Sequence, residues 1–239
     1  MDGGFNGSIV LVAGGTGGLG RAVAEAFLAQ GAHVIVTWRH RAQFDTLFTA
    51  AGAGSPRLEG HEADVTNPAA AAALVADIVA RHGRLDALVN TVGGYDGGTK
   101  LWQLDPDVLE RMLALNLHAG FALARAAVPA MLLARKGSIV NVAAKAGVDP
   151  PAGAAAYAAS KAAAIALIDA LAADLIGTGV RVNSLLPSII DTDANRKAMP
   201  NADYNRWPKP AEIARVILFL CSDDASVIHG ASIPVYGSR

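Results

Sequence analysis

The feature that most constrains this chain is an alternation: short β-branched apolar runs are separated by longer Ala- and Leu-rich stretches of helical spacing. That pattern predicts an α/β fold in which a doubly wound parallel sheet of about seven strands is covered by helices on both faces. Strands are expected at residues 9–13, 34–38, 58–63, 85–91, 138–143, 180–186 and 232–235, with helices at 19–30, 43–51, 68–81, 106–134, 155–176 and 211–221. Asn67-Pro68 and Asp105-Pro106 each place a capping side chain before a proline suited to a first helical turn, and Gly31 and Gly177 supply stops. Only residues 188–207, polar and without regular periodicity, break the rhythm; a compact fold reads them as an insertion or lid. With no repeat, linker or charge run in its 239 residues, the chain is expected to form a single domain.

Composition narrows the function classes. Twenty basic side chains against 21 acidic ones, a net charge of −1, give no electrostatic footprint for nucleic acid or an anionic membrane surface. At 52% hydrophobic residues the chain is the opposite of a disordered one. Cys221 is the only cysteine, so no internal disulfide forms and a reducing, cytoplasmic compartment is expected. A membrane helix needs about 18 apolar residues in a row. The apolar stretch 112–124 is broken by Asn116 and His118, so no span is expected. The first eight residues carry an acid where a secretory signal carries bases, and no targeting segment is expected. His33, His40, His61, His82, His118 and His229 show no spacing with carboxylates or thiols that implies metal, so no metal site is expected.

The first chemical signal is Ala13-Gly14-Gly15-Thr16-Gly17-Gly18-Leu19-Gly20, between the first strand and the first helix. Glycines there let the backbone approach a pyrophosphate, and a helix N-terminus offers free N–H groups and a positive dipole end. The run reads equally as Gly15-x-Gly17-x-x-Gly20 or as Gly14-x-x-x-Gly18-x-Gly20. The second signal is Tyr157-Ala158-Ala159-Ser160-Lys161, where a spacing of four puts phenol and ammonium on one helical face. A free phenol titrates near ~10 and needs such a cation to serve as an acid or base at neutral pH. Alone, this spacing usually means a packed ring beside a solvated lysine; about 140 residues after a glycine turn, it points to a site. Asn116, a lone amide in an apolar helix, must find a polar partner, either a neighbouring backbone or the Tyr157/Lys161 helix. Asp64 closes the third strand at the edge where such sheets bind ligands, or serves as a turn acid.

Taken in order, the Gly14/Gly18/Gly20 turn, Asp64-Val65, Asn90, Asn116 and the Tyr157/Lys161 pair resemble the short-chain dehydrogenase/reductase family across nearly the whole chain. The resemblance implies a Rossmann-type domain and an NAD(P)H-dependent oxidoreductase with a small-molecule substrate. It implies Tyr157 as proton donor, Lys161 as the cation that lowers its pKa and holds the nicotinamide ribose, and Asn116 as the keeper of a water relay behind Lys161. Cofactor contacts are implied for Gly14, Thr16, Gly18, Leu19, Gly20, Asp64, Val65, Asn90, Gly93, Tyr157, Lys161, Pro187, Ile190 and Thr192. A homodimer or homotetramer through the Ala-rich helices 121–132 and 162–176 is implied as well.

One position departs from the family. Thirteen residues before Tyr157, where the family carries a catalytic serine, stands Ala144. Dihydropteridine reductases resemble this chain there, and in two further places: Gly93-Gly94-Tyr95-Asp96-Gly97-Gly98, and the run Asp191-Thr192-x-x-Asn195-Arg196-Lys197-x-Met199-Pro200-x-Ala202-Asp203-x-x-x-Trp207. The narrower resemblance implies reduction of a quinonoid dihydropterin, with Tyr95 and Trp207 walling a flat pocket and Asn195 as a polar contact. A carbonyl or quinone reductase, or a dinucleotide-sensing binding protein, are the alternatives. Trp38-Arg39 ends the second strand where an NAD site carries an acid, so Arg39 favours NADPH, with NADH possible.

Overall fold

Every residue of Ile9–Ala13 is buried, which a strand achieves only when both faces of its sheet are covered. In the computed structural model, which describes residues 4–50 and 55–237, this strand is β1. There follow α1 (Gly18–Ala29), β2 (His33–Trp38), α2 (Arg41–Ala50), β3 (Leu58–Glu62), α3 (Pro68–His82) and β4 (Ala87–Asn90). The second half holds α4 (Pro106–Leu113), α5 (Ala119–Ala134), β5 (Gly137–Val142), α6 (Ala155–Asp174), β6 (Val180–Pro187), α7 (Asp193–Ala198), α8 (Pro210–Cys221) and β7 (Ser232–Val235). All seven strands run parallel in the order β3-β2-β1-β4-β5-β6-β7. The expected strands and helices form with ends moved by one or two residues; residue 51, expected to close α2, lies outside the described residues.

Two cores arise from the period-2 geometry of β1. Val10 and Val12 pack with Val23, Phe27, Ile213 and Ile217 under α1 and α8. Ile9, Leu11 and Ala13 face the other way, onto Leu74, Ile78, Leu123 and Met131 of α3 and α5. The prolines act as expected: Asn67 Oδ1 accepts from the Ala69 and Ala70 N–H groups at 2.8 and 3.3 Å, and Asp105 Oδ1 from the Asp107 N–H at 2.9 Å.

Two expectations change. The helix expected over 106–134 is not uniform, because a wide π-helical turn over Ala114–His118 separates α4 from α5 and carries Asn116. An extra residue in one turn rotates the helix beyond it and re-aims a single side chain. The segment 188–207, expected to be irregular, contains α7 and a short 3-10 turn over Tyr204–Arg206, each started by a side-chain cap from Thr192 or Asp203. Pro106–Ala134 and Ala155–Asp174 are long and apolar enough to cross a membrane by length and composition, yet Leu123, Met131, Ile168 and Ala172 from them pack onto the sheet.

The strand order reverses between β1 and β4, which opens a crevice at their carboxyl ends. Phe27 anchors the far end of α1, away from that crevice; its side chain is fully buried and meets the Phe5 ring edge-on at 4.9 Å. Phe27→Ala is expected to destabilise the protein by about 3–5 kcal/mol, read from urea unfolding midpoints.

Candidate functional site

At the end of β1 the chain turns at Gly14, whose φ of +75° is the left-handed region that glycine tolerates. The turn is pinned to both neighbouring strands: the Gly14 N–H donates to Thr37 Oγ1 at 2.9 Å, and the Thr91 hydroxyl and N–H both donate to the Ala13 carbonyl, at 2.7 and 3.0 Å. A Cβ on Gly20 would lie 2.1 Å from the Gly14 carbonyl oxygen, one on Gly15 2.5 Å from Val36 Cγ1, and one on Gly18 2.8 Å from Thr192 Cγ2. Glycine at 14, 15, 18 and 20 is therefore a packing requirement that brings bare backbone to the crevice. α1 starts without a side-chain cap, and its first backbone bond is from the Arg21 N–H to the Gly17 carbonyl at 2.8 Å, so the first-turn N–H groups point outward for an anion. This cradle fits a dinucleotide pyrophosphate.

Around it stand the other expected contacts. Thr16 donates from its hydroxyl to Gln43 Oε1 at 3.3 Å, and Leu19 packs into the core. Asp64 accepts from the Thr66 hydroxyl and N–H at 2.7 and 3.1 Å; these bonds, with the nearby Arg39 guanidinium, hold its carboxyl below the usual range. Arg39 is exposed and makes no hydrogen bond or ion pair among the described residues, whereas Arg41 pairs with Asp45 at 2.8 Å. Val65 turns its side chain into the core. Asn90 is spent inside the protein, donating to Asn141 Oδ1 at 2.7 Å and accepting from the Val92 N–H at 3.1 Å. Pro187 ends β6, and the Ile190 carbonyl accepts from the Thr192 N–H at 2.8 Å, which sets Thr192 down on Gly18.

Tyr157 and Lys161 lie one turn apart on α6. The Lys161 ammonium is buried and donates to the Val142 carbonyl at 3.1 Å; burial draws its pKa down to about 8. Burial, with the Tyr95 phenol beside it, pushes Tyr157 up to about 12. With Lys161 engaged at Val142, burial outweighs the lowering expected from its charge, and at neutral pH the phenol holds a proton to give. Asn116 finds both partners its sequence position demanded: it exchanges bonds with the Gly94 backbone at 3.0 and 3.1 Å and donates to Ser160 Oγ at 3.0 Å. Ser160 in turn donates to the Tyr157 carbonyl at 2.8 Å. A Cβ on Gly93 would lie 2.8 Å from Asn116 Oδ1 and 3.1 Å from Lys161 Nζ, so this glycine roofs the same network.

Ala144 is buried at the end of β5 and brings no hydroxyl. Tyr95 stands edge-on to Tyr157, ring centroids 4.9 Å apart. Trp207 and Asn195, expected as substrate contacts, have partners within the 188–207 segment. Trp207 packs on Tyr204 at 5.0 Å and lines a cavity of about 280 Å³ with Ser188, Ile189 and Arg206. The Asn195 amide donates to the Ile190 carbonyl at 2.8 Å, and Arg196 forks onto Asp191 at 2.5 and 2.9 Å. The resembling run thus braces its own lid, because short polar side chains in an insertion bond first to the nearest backbone. A larger cavity of about 560 Å³ lies at the opposite edge of the sheet; of the cations that line it, Lys136 pairs with Asp223 at 3.1 Å and Arg181 bonds to the Leu220 and Ser222 carbonyls at 2.7 and 2.8 Å.

Sequence reasoning missed Thr37, Thr91 and Ser160. The last was legible as the hydroxyl inside the tyrosine motif; the threonines act through strand neighbours. The histidine expectation also changes: His33 and His82, 26 and 23 residues from Glu59, meet that carboxylate in space.

A family model described as short chain dehydrogenase matches residues 8–203. A 3-oxoacyl-(acyl-carrier-protein) reductase FabG from Thermotoga maritima is 31% identical over 241 residues, covering 98% of both chains. A meso-2,3-butanediol dehydrogenase from Serratia marcescens is 33% identical over 98% of this chain and 94% of its own. Among solved structures, a short-chain type dehydrogenase/reductase from Mycobacterium ulcerans superposes with a TM-score of 0.92 at 29% identity, covering 98% of this chain and 90% of that one. An NAD+-bound xylitol dehydrogenase gives 0.89 at 26%, covering 98% and 99%.

Because the Gly20 position leaves no room for a methyl group, Gly20→Ala is expected both to lower the melting temperature and to weaken dinucleotide binding, read by differential scanning calorimetry and by titration calorimetry.

Proposed function

From the premise that the chain belongs to the short-chain dehydrogenase family and is an NAD(P)-dependent oxidoreductase, we propose that it is a reductase of dihydropteridine-reductase type, reducing a quinonoid dihydropterin to the tetrahydropterin. The observation that carries this reading is the presence of Tyr157, Lys161 and Asn116, the last tied to α6 through Ser160, together with a buried Ala144 that brings no hydroxyl. A serine hydroxyl serves to grip a ketone oxygen. A conjugated C=N acceptor needs only hydride at one end of the double bond and a proton at the other.

What a bound nicotinamide dinucleotide supplies is the hydride. The chain's own residues do the rest. Tyr157 Oη gives its proton to the acceptor, the Lys161 ammonium stabilises the phenolate that remains, and solvent restores the proton. Asn116 ties α6 to the Gly94 backbone beside the phenol and ammonium. The edge-on contact of Tyr95 with Tyr157 supports its role as one wall for a flat acceptor. Exposed Arg39 at the end of β2 supports a preference for NADPH over NADH. The apolar surface that Phe121 and Leu133 leave on α5 supports a homodimer or homotetramer, and the single cysteine a cytoplasmic setting.

Of a second reading, a carbonyl or quinone reductase, the carbonyl form is favoured by the names of the relatives, a 3-oxoacyl reductase and a butanediol dehydrogenase. The two separate when consumption of NADPH and NADH is followed with freshly generated quinonoid dihydropterin and with a panel of ketones and quinones. Pterin turnover, faster with NADPH and abolished in Tyr157→Phe, is expected; turnover of ketones or quinones alone would install the second reading.

The pH profile tests Lys161. A lysine whose pKa is drawn down to about 8 is charged below that pH and neutral above it. Only the charged form stabilises the phenolate. Reductive kcat is therefore expected to be flat through neutrality and to fall as the pH rises through about 8, measured at saturating cofactor.

A further inference from the structure

The parallel sheet gathers three metal-ligating side chains at its amino edge, the end opposite Tyr157. His33 opens β2, Glu59 is the second residue of β3, and His82 is the last residue of α3. Their ligand atoms all lie within 4.8 Å of one another. His33 Nε2 is 2.5 Å from Glu59 Oε1, and His82 Nε2 is 3.1 Å from the same oxygen. The two imidazole rings tilt together with centroids 4.7 Å apart.

Ordinary hydrogen bonding does not use up this arrangement. One carboxylate oxygen faces two imidazole nitrogens, and His82 Nε2, shielded from solvent, has no hydrogen-bond partner with acceptable geometry. A buried nitrogen of that kind calls for a partner. Two imidazole nitrogens and one carboxylate oxygen are the donor set of three-ligand zinc sites, with a fourth position left to water. The side chains are between 15% and 23% exposed, half-sheltered but open to entry.

Charges reach the cluster from α3 and β3. α3 ends beside it, so its carbonyl pole favours a cation. Asp77, also on α3, pairs with Arg81 at 3.0 Å and lies 3.9 Å from His61 Nε2 on β3. Arg81 opposes a cation, but it binds Glu59 through Oε2 and leaves Oε1 to the imidazoles. A second partner on the far oxygen of a ligating carboxylate is the usual support for a metal ligand.

We propose that His33, Glu59 and His82 form a binding site for a divalent transition metal of the zinc class, which clamps the end of α3 to the β2–β3 edge of the sheet. Metal entry separates His33 from Glu59 to the spacing that bonds of about 2.0–2.2 Å around one ion require. The clamp is independent of the reading of the catalytic site.

The test uses the full chain without an affinity tag, treated with chelator and then titrated with Co2+ by visible absorption and with Zn2+ by calorimetry. One equivalent is expected to bind, Zn2+ to raise the melting temperature, and chelator to reverse the rise. His82→Gln and Glu59→Gln, each checked for folding by circular dichroism, are expected to weaken binding roughly tenfold or more. His40→Gln, which removes an exposed histidine away from the triad, is expected to leave affinity unchanged. Absence of one-equivalent binding to the wild-type chain, unchanged affinity in His82→Gln and Glu59→Gln, or an equal loss in His40→Gln would each overturn the proposal.

Discussion

The close approach of backbone to backbone where β1 meets α1 governs much of what surrounds it. A Cβ at Gly20 would sit 2.1 Å from the Gly14 oxygen, so α1 packs onto the turn only because the side chain is missing. That approach carries Gly18 against Thr192, lays the β6–α7 segment over the crevice, and lets Thr91 bind the Ala13 carbonyl from β4. Interiors are close-packed, so a single methyl group at this seam has nowhere to go. The pyrophosphate cradle and the stability of the first helix are therefore one construction.

The second centre is polar and buried. Lys161, an ammonium with no carboxylate partner among the described residues, keeps a carbonyl from Val142 and accepts a lowered pKa as the consequence. Asn116 ties the neighbouring α6 turn, through Ser160, to the Gly94 backbone. Low dielectric makes each of these bonds strong and each missing partner expensive, which holds the phenol and ammonium in a fixed relation. Ala144, buried beside this setting, brings no hydroxyl to it.

Legibility tracked the range of the forces involved. The alternation of runs was readable because strands buried on both faces are continuously apolar, as in β1. The Tyr157/Lys161 pair was readable because a spacing of four is set by the helix alone. The π-turn at Asn116 left no mark beyond one amide in an apolar stretch, since its geometry is decided by what packs around it. Trp207 and Asn195 shared a motif with the lid, yet their partners, Tyr204 and the Ile190 carbonyl, came from local folding within that lid.

By itself the sequence determined the layered α/β architecture, the glycine turn and the helical face of the tyrosine and lysine, because local periodicity and steric permission are written residue by residue. Tertiary structure alone decided the pKa directions of Tyr157 and Lys161, the place of Tyr95 beside Tyr157, and the meeting of His33 and His82 at Glu59. Burial and contact across strands depend on register and packing, and no spacing along the chain encodes them.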